Sequence, residues 1–389
     1  MRILFLLLFF IFKIQILFLF YLKFLDSKVI KAKVINQYKK GNHFVLRLKN
    51  KEIEFYTTSY ENLKNLLNDE IELTLIKKDV SFFDYLTPFY APSYNLRLLP
   101  LNKVETYIEA QHESRKFSNL FRALFLGESI DYDTRIKLSA LGISHLFALS
   151  GLHLGFISGT LFFLLLPIYT FFHRFFPYRN RYVDLGILIL GIEFFYLYFT
   201  SFPPSLIRAF LMEAVLFGIA FFLMDVFSIK VLVFTIGIAF LIFTFSVFKL
   251  GFLLSIVGVY YIYLFFRYFK FSFINGVLLS FYMFIVMFVW SHYFFGEFNN
   301  YQLLSPLINL MFPIFYVVEG FLHLIGYGGV LDGVIKWYLN LGEKYYHVNV
   351  SFCFLVVFSV LSLLAYRKKW AFYGINLLAV IIILGSIKI

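Results

Sequence analysis

Two histidines, His145 and His153, lie in LSALGISHLFALSGLHLGFISG, a run that is otherwise apolar enough to cross a membrane. On a continuous helix, their spacing predicts imidazole rings about 80° apart, so that both rings share one broad face. Polar groups are costly in hydrocarbon and usually face a bundle interior or an aqueous path. The same run has small residues at helical spacing, which let another helix backbone approach closely: Ser144, Ala148, Gly151, Gly155 and Gly159.

The dipeptide Ser150-Gly151 can interrupt this helix. Ser150 would then be the amino-terminal cap of a second half-helix, with His153 in its first turn. Half-helix amino termini carry partial positive charge and commonly meet anionic groups in transporters. The alternative is a continuous helix whose histidines hydrogen-bond to neighbouring helices. The histidine spacing is not i, i+4 and neither Cys nor carboxylate accompanies it, so we expect no metal and no cofactor.

A second polar segment is PPSLIRAFLMEA, in which the proline pair that ends at Pro204 starts a helix sharply. Arg208 follows one turn later, and Arg within a span costs at least about 3 kcal/mol on insertion scales. Glu193, on the preceding span, is the better ion-pair partner, because Glu213 lies five positions along the same helix and off the Arg208 face. The alternative is contact with substrate phosphate, for which the planar guanidinium is suited.

A third segment, SPLINLMFPIF, places Asn309 between Pro306 and Pro313. It belongs to the apolar stretch Leu303–Ile325. In the topology given below, both ends of this stretch lie on the external side of the membrane, unless Leu331–Leu341 is a weak return span. The segment is either a kinked structural helix or a re-entrant pore element. Irregular backbone at membrane depth is tolerated only where it lines protein or water, which favours a pathway.

The composition predicts an α-helical multi-pass membrane protein. The 389 residues are 61% hydrophobic with mean hydropathy +0.79. We expect about 9–10 membrane segments, with re-entry of at least one of them as an alternative to full crossing. The net charge of +12 fits either cytoplasmic loops or a polyanionic substrate. Besides 303–325, the predicted membrane segments are 1–25, 138–167, 183–200, 205–224, 229–248, 250–266, 273–293, 350–366 and 370–387.

Residues 27–80 have a different character and predict a small β-barrel of the OB type. Apolar and polar residues alternate over 43–49, and a hairpin turn is expected at Asn50. A short helix is expected at 61–67. OB barrels often bind single-stranded nucleic acid, through aromatic platforms as well as charge. Tyr38 and Tyr56 are the available platforms here, so docking of a partner is an equal alternative. The predicted basic face consists of Lys31, Lys33, Arg47 and Lys49.

Short basic loops predict the orientation. Placing them in the cytoplasm puts the amino terminus inside and the β domain outside. The predicted domains are the helix 1–25, the β domain 27–80, an amphipathic connecting segment 81–137, a membrane domain 138–325, and an interfacial segment with two C-terminal spans at 326–389. The loops contain Arg174, Arg179 and Arg181, then Arg267 and Lys270, then Arg367, Lys368 and Lys369.

Taken in order, FRALFLGESIDYDTRIKLSALGISHLFALSGLHLG, PPSLIRAFLM and SPLINLMFPIF resemble the ComEC competence-protein family. The resemblance runs from about residue 28 to about residue 321, and SVFKLGFLLSIVG departs from the pattern at Lys249 and Gly251. It implies an external OB domain, a competence-type membrane domain in the bacterial inner membrane, and passage of single-stranded DNA during natural transformation. The most specific motif contains His145, Ser150, Gly151, His153 and Gly155.

The resemblance also implies that partner proteins supply the functions that this sequence lacks. Full-length relatives end in a metallo-β-lactamase-like domain, but this sequence has no HxHxDH string and no GxxxxGK[ST] loop, so we expect neither nuclease nor P-loop motor activity. Each phosphate that enters a negative interior costs roughly 2.3 kcal/mol per 100 mV. We therefore expect a channel driven by partners, namely an external DNA receptor and a cytoplasmic helicase or translocase, with homo-oligomerisation possible.

Two other functions stay open at this stage. Ser150 and a histidine could form an intramembrane serine hydrolase, although position 148 of its GxSG-like motif is Ala. A small-molecule transporter is the other alternative, but the internal repeat common in such folds is not evident. The DNA-pathway candidates are His145, Ser150, Gly151, His153, Gly155, Arg208 and Asn309. The structural or pairing candidates are Glu193, Glu213, Pro204, Pro306 and Pro313.

Overall fold

We analysed a computed structural model, which describes residues 2–50, 53–60, 65–200, 202–221, 229–242 and 250–387. By its internal contacts the chain forms two compact units. The first contains Met1–Ala110 with Glu128–Asp131, and the second contains Gln111–Gly127 with Tyr132–Ile389.

The first unit contains a long helix and a six-stranded sheet. Helix α1 (Arg2–Asp26) occupies the first predicted span, and short helices α2 (Phe82–Tyr85) and α3 (Lys103–Glu109) follow later. The sheet order is β5-β3-β2-β1-β4-β6, antiparallel except for the β3–β5 pair. Its strands are β1 (Ile30–Lys40), β2 (His43–Lys49), β3 (Glu54–Ser59), β4 (Glu70–Leu75), β5 (Phe89–Tyr90) and β6 (Ser93–Leu98).

The sheet curls into an open, OB-like barrel. No ladder joins β5 to β6 in the described residues, but the Ala91 N–H donates to the Tyr56 carbonyl at 2.9 Å, and Thr57 Oγ1 bonds Ser93 Oγ at 2.7 Å. The predicted β2–β3 hairpin is confirmed, and the Asn50 side chain accepts the Ile53 N–H at 2.9 Å within its turn.

The β unit extends past the predicted boundary at residue 80, because β6 pairs with β4 and β5 with β3. The expected helix at 61–67 lies mostly outside the described residues, and 65–67 are not helical. The predicted amphipathic connecting segment 81–137 is not one element. It contributes strands to the sheet and then forms separate short helices, because Ser114 begins a new helix after the break that follows α3.

The second unit is helical, apart from the two-stranded sheet of β7 (Glu297–Phe298) and β8 (Tyr346–His347). Its helices are α4 (Arg115–Leu126), α5 (Tyr132–Ala140), α6 (Ser144–Phe147), α7 (Gly151–His173), α8 (Arg181–Phe199), α9 (Pro204–Phe221), α10 (Ile229–Ile242), α11 (Leu250–Tyr268), α12 (Phe273–Phe294), α13 (Ser305–Leu324), α14 (Asp332–Leu341), α15 (Phe352–Ala365) and α16 (Lys369–Ser386).

Six helices in the described part of the chain are long and apolar enough to cross a membrane: α7, α8, α11, α12, α16 and the helical stretch that ends with α13. This makes the chain a multi-pass membrane protein. The predicted spans 205–224 and 229–248 correspond to α9 and α10, and their remaining residues lie outside the described ranges. Helix α15 is apolar but shorter.

The predicted span 138–167 is wrong as a single helix. Gly142 ends α5 in the left-handed conformation, at φ 71°, where glycine is favoured. The four-residue α6 follows, and an extended stretch from Ala148 to Ser150 precedes α7. Local capping signals therefore outweigh the continuous apolar character of this run, and His145 and His153 lie on different helices.

The proline-containing segment 303–325 forms one continuous helix over most of its length. Pro306 lies in the first turn of α13 and Pro313 lies inside it. Since Pro313 has no N–H, the helical hydrogen bond to the Asn309 carbonyl cannot form. Re-entry of this segment stays a prediction, because a helix of this length can also cross. The weak return span at Leu331–Leu341 is wrong, because the 10 residues of α14 are about 15 Å long.

Candidate functional site

The start of α7 is held by a contact between its cap and its first turn. Ser150 is the N-cap residue in extended backbone, at φ −137° and ψ 174°. Its N–H donates to Nδ1 of His153 at 3.2 Å, and its Oγ lies 3.1 Å from the same nitrogen. Of the two alternatives for this run, the structure therefore shows the break at Ser150-Gly151. His153 serves the role that Glu or Gln usually has in a capping box.

The His153 ring is fully buried, and its tautomer follows from the cap. Because Nδ1 accepts the Ser150 N–H, the neutral ring carries its proton on Nε2. The Leu146 carbonyl interacts with the ring, but Nε2 has no acceptor with normal hydrogen-bond geometry. A buried donor without a full partner costs about 1–3 kcal/mol, which is unusual unless a ligand or water satisfies it.

Aromatic residues of α13 enclose this ring. The centroids of Phe312 and Tyr316 lie 5.4 Å and 4.8 Å from that of His153, and both contacts are edge-to-face. On the other side, His145 interacts electrostatically with His153 and also with the side chain of Asn309. We call these five residues the His153 cluster. It brings together three predicted pathway residues that the sequence places on two separate motifs.

Arg208 lies away from its predicted carboxylate. Its Nη1 donates to the Gly251 carbonyl at 3.1 Å, and its guanidinium lies 5.2 Å from the centroid of the Phe252 ring. Its side chain is buried between α9 and α11. The predicted Arg208–Glu193 pair is therefore wrong, because a backbone carbonyl and an aromatic face, not a carboxylate, accommodate the guanidinium.

Glu193 and Glu213 meet at Ser158 instead. Ser158 Oγ is 2.5 Å from Oε1 of Glu213, bonds Oε1 of Glu193, and lies 3.0 Å from the Leu154 carbonyl. One hydroxyl hydrogen cannot serve all of these acceptors, so a carboxyl proton has to complete the cluster. The three side chains come from α7, α8 and α9, and this contact ties the helices together.

The predicted stripe of small residues has one close contact. A Cβ at Gly151 would lie 3.2 Å from Cβ of Ala209, so α7 approaches α9 closely at its start. A Cβ at Gly155 or Gly159 would meet nothing within 4 Å. Among the described residues, the close approach at these glycines is thus confined to the amino-terminal end of α7.

The predicted basic face of the β unit is largely paired with carboxylates. Lys33 Nζ lies 2.6 Å from Glu105 and 2.5 Å from Glu128. Arg47 lies 2.7 Å from Glu54 and stacks on Tyr56, and Lys31 approaches Glu72 at 3.9 Å. Lys49 also has an interaction. The face therefore presents less free positive charge than the sequence predicts, and nucleic-acid binding there stays a prediction.

Sequence reasoning missed a buried histidine pair elsewhere in the helical unit. Nε2 of His112 lies 3.2 Å from Nε2 of His323, although the residues are 211 positions apart. No spacing rule connects them. Only the apolar run around His323 could have drawn attention to the pair, because His112 lies in the polar stretch AQHESRK. Among the described residues, no group of three or more His, Cys, Asp or Glu side chains is placed to hold a metal.

Comparison with known proteins identifies one family. A family model described as "Competence protein" matches residues 124–387, which is more than half of the chain. No curated protein and no solved structure matches. The matched region includes the His153 cluster, the Ser158 carboxyl cluster and Arg208.

Proposed function

Because this chain belongs to the competence protein family, which supports a role in DNA uptake for natural transformation, we propose that it forms the path by which single-stranded DNA crosses the bacterial inner membrane. Under this proposal the chain is a channel and not an enzyme. The amino terminus lies in the cytoplasm and the β unit lies outside, as the basic loops suggest.

The observation that supports this best is the interrupted helix at the His153 cluster. The amino terminus of α7 carries partial positive charge, and it begins beside His145, His153 and Asn309. Such an end can receive a phosphate through backbone N–H groups without a fixed counter-charge. The Nε2–H of His153, whose nearby acceptor is the Leu146 carbonyl, is a further donor at the same place.

Arg208 has a different part in this proposal. Its guanidinium holds the start of α11 through the Gly251 carbonyl. The guanidinium would reach a phosphate only by exchanging the Gly251 carbonyl for a phosphate oxygen. Its planar group with parallel N–H donors permits this exchange. We therefore assign Arg208 to gating of the path between α9 and α11, and the His153 cluster to contact with DNA.

The driving force comes from partners in this proposal. Repeated entry of phosphate charge against the membrane potential costs roughly 2.3 kcal/mol per charge per 100 mV, which a passive path cannot sustain. An external DNA receptor would deliver the strand, and a cytoplasmic helicase or translocase would pull it. A homo-oligomer could share the path among copies.

The test is complementation of a deletion strain with His153→Ala and Arg208→Ala, using labelled DNA. We expect DNA bound at the cell surface to stay unchanged, while nuclease-protected cytoplasmic DNA is lost. Phe163→Ala, at an exposed position of α7, is the matched control and should import normally. Normal import by both variants, at wild-type protein levels, would exclude these residues from the path.

One observation favours a second candidate, an intramembrane serine hydrolase. Ser150 Oγ lies 3.1 Å from His153 Nδ1, within reach for proton transfer. The same nitrogen accepts the Ser150 N–H, however, and no carboxylate among the described residues orients the far side of the ring. Covalent labelling by a serine-reactive phosphonate, absent in Ser150→Ala, would support the hydrolase. No labelling of the folded wild-type protein would rule it out.

A further inference from the structure

Four titratable side chains form a chain of contacts in the helical unit, separate from the His153 cluster. His112 Nδ1 lies 3.0 and 3.1 Å from the two carboxylate oxygens of Asp332. His112 Nε2 lies 3.2 Å from His323 Nε2. His323 Nδ1 lies 2.8 Å from the Glu319 carbonyl and 3.2 Å from Glu319 Oε2. We call these four residues the His112–His323 array.

The array is shielded from solvent. The side chains of His112 and Glu319 are 0% exposed, and those of Asp332 and His323 are 5% and 8% exposed. The Phe121 ring stacks on His112 with centroids 4.6 Å apart and planes inclined by 7°. Phe121 and Phe125 also pack against His323. Aromatic rings thus cover the imidazoles, and the array has to satisfy its own hydrogen bonds.

The number of protons is the decisive property of this array. Three contacts in series, from Asp332 to His112, from His112 to His323, and from His323 to Glu319, need one hydrogen each. Two neutral imidazoles carry two hydrogens, and ionised carboxylates carry none. One additional proton is therefore required, whichever of the four groups holds it. Without it, one contact brings two acceptors together.

The charges around His112 make this proton exchangeable. The groups that act on His112 are Asp332 on α14, and His323 and Glu319 on α13. Burial lowers the pKa of His112 below the ordinary histidine value, and the Asp332 carboxylate opposes that shift in part. These opposing effects act on one buried imidazole, so the extra proton is exchangeable and not held permanently.

The surrounding backbone keeps the pair in place without the proton. Gln111 Nε2 donates to the His323 carbonyl at 3.2 Å, and Gln111 Oε1 accepts the Gly328 N–H at 2.8 Å. A Cβ at Gly329 would lie 2.2 Å from the Gln111 carbonyl oxygen, so this turn fits only without a side chain. These bonds do not titrate, and they hold the histidines close enough to share a proton.

We propose that Asp332, His112, His323 and Glu319 form a proton-binding site in which one proton is shared between the facing Nε2 atoms. Binding of that proton links the segment before α4 directly to α13. The same helix α13 carries Phe312 and Tyr316, which enclose His153. Proton occupancy of the site therefore acts on the helix that packs against the candidate pathway. The site itself does not depend on the proposed function.

The test is nitrogen NMR of the full chain in detergent micelles, with ¹⁵N-labelled histidine, between about pH 4 and about pH 8. The chain has eight histidines, so single substitutions can assign the signals. We expect the ring nitrogens of His112 and His323 to titrate together, with one midpoint and uptake of one proton. In His112→Asn, which keeps a donor near Nδ1 and removes Nε2, the His323 midpoint should shift.

His112→Gln is the matched variant, because its terminal amide can donate at the position of Nε2 without titrating. In this variant we expect His323 to stay neutral over the same range. Two independent midpoints in the wild-type protein, or no titration of either ring, would overturn the proposal. So would a stoichiometric divalent metal whose removal by a chelator shifts both rings, since the Nε2 atoms would then be metal ligands. The NMR titration of the wild-type protein tests the proposal even if a variant does not fold.

Discussion

His153, in the first turn of α7, packs edge-to-face against Tyr316 of α13, with ring centroids 4.8 Å apart and planes inclined by 78°. The same imidazole accepts the N–H of Ser150 at its Nδ1. One side chain therefore both caps α7 and joins it to α13, the helix that contains the third polar segment. Tests of its role therefore have to separate the capping hydrogen bond to Ser150 from the aromatic contact of the ring with Tyr316.

The first prediction compares His153→Gln with His153→Ala. Gln at this position can still reach back to the Ser150 N–H, whereas Ala leaves that donor unsatisfied at a cost of about 1–3 kcal/mol. Thermal unfolding in detergent should thus show a clearly lower midpoint for Ala than for Gln. Both variants should lose cytoplasmic DNA import, because both lack the ring. Normal import by His153→Gln would mean that the imidazole has only a capping role.

The second prediction concerns the carboxyl cluster at Ser158. A neutral amide can replace a protonated carboxyl without leaving a buried charge, so Glu193→Gln and Glu213→Gln should each unfold near the wild-type temperature. Ser158→Ala removes the shared donor and should destabilise by about 1–3 kcal/mol. Detergent thermal unfolding measures all three. A single Gln variant that is destabilised more than Ser158→Ala would contradict the shared-proton account of this cluster.

The third prediction concerns Arg208. Lys at this position can still donate to the Gly251 carbonyl, but it lacks the planar group that stacks on Phe252 and accommodates phosphate bidentately. Arg208→Lys should therefore stay folded, with DNA import reduced. Arg208→Met should lose about 1 kcal/mol with the hydrogen bond to Gly251 and also lose import. Thermal unfolding and the labelled-DNA assay measure the two effects separately. Equal import by Lys and Arg would argue against gating by the guanidinium.

The fourth prediction concerns pH and the Lys33 ion pairs. Burial raises the pKa of Glu105, but its hydrogen bond to Lys33 and the Lys33 charge outweigh burial and hold that pKa below the ordinary value. A depressed pKa in the folded state contributes stability above the unfolded pKa of about 4.3. That contribution is lost as the pH falls through the lower, folded value.

Lys33→Met should therefore accelerate hydrogen exchange of the β1 amides at neutral pH, and the difference from wild type should shrink in acid. Lys31→Met is the matched control, since Lys31 is 68% exposed and lies 3.9 Å from Glu72. Such surface pairs contribute about 0–1 kcal/mol, so this variant should exchange like the wild type. Equal effects of the two substitutions would show that the Lys33 pairs do not stabilise the sheet.

Some features could be read from the sequence because their causes are local. The break at Ser150-Gly151 was one of two alternatives that the sequence offered, because a capping residue acts within one helical turn. The β2–β3 hairpin was predicted because alternation and a turn residue lie within a few positions of each other. Local signals also explain the main error, since the apolar run 138–167 concealed the left-handed Gly142 that ends α5.

The sequence by itself determined that this chain is a multi-pass membrane protein and where most of its apolar helices lie, because hydrophobicity and capping act over neighbouring residues. Only the tertiary structure decided the partners of its polar groups. It placed Glu193 at Ser158 instead of Arg208, Lys33 between Glu105 and Glu128, and His112 against His323. These partners are distant along the chain, and a buried polar group binds whichever donor or acceptor the packing of the helices and strands brings to it.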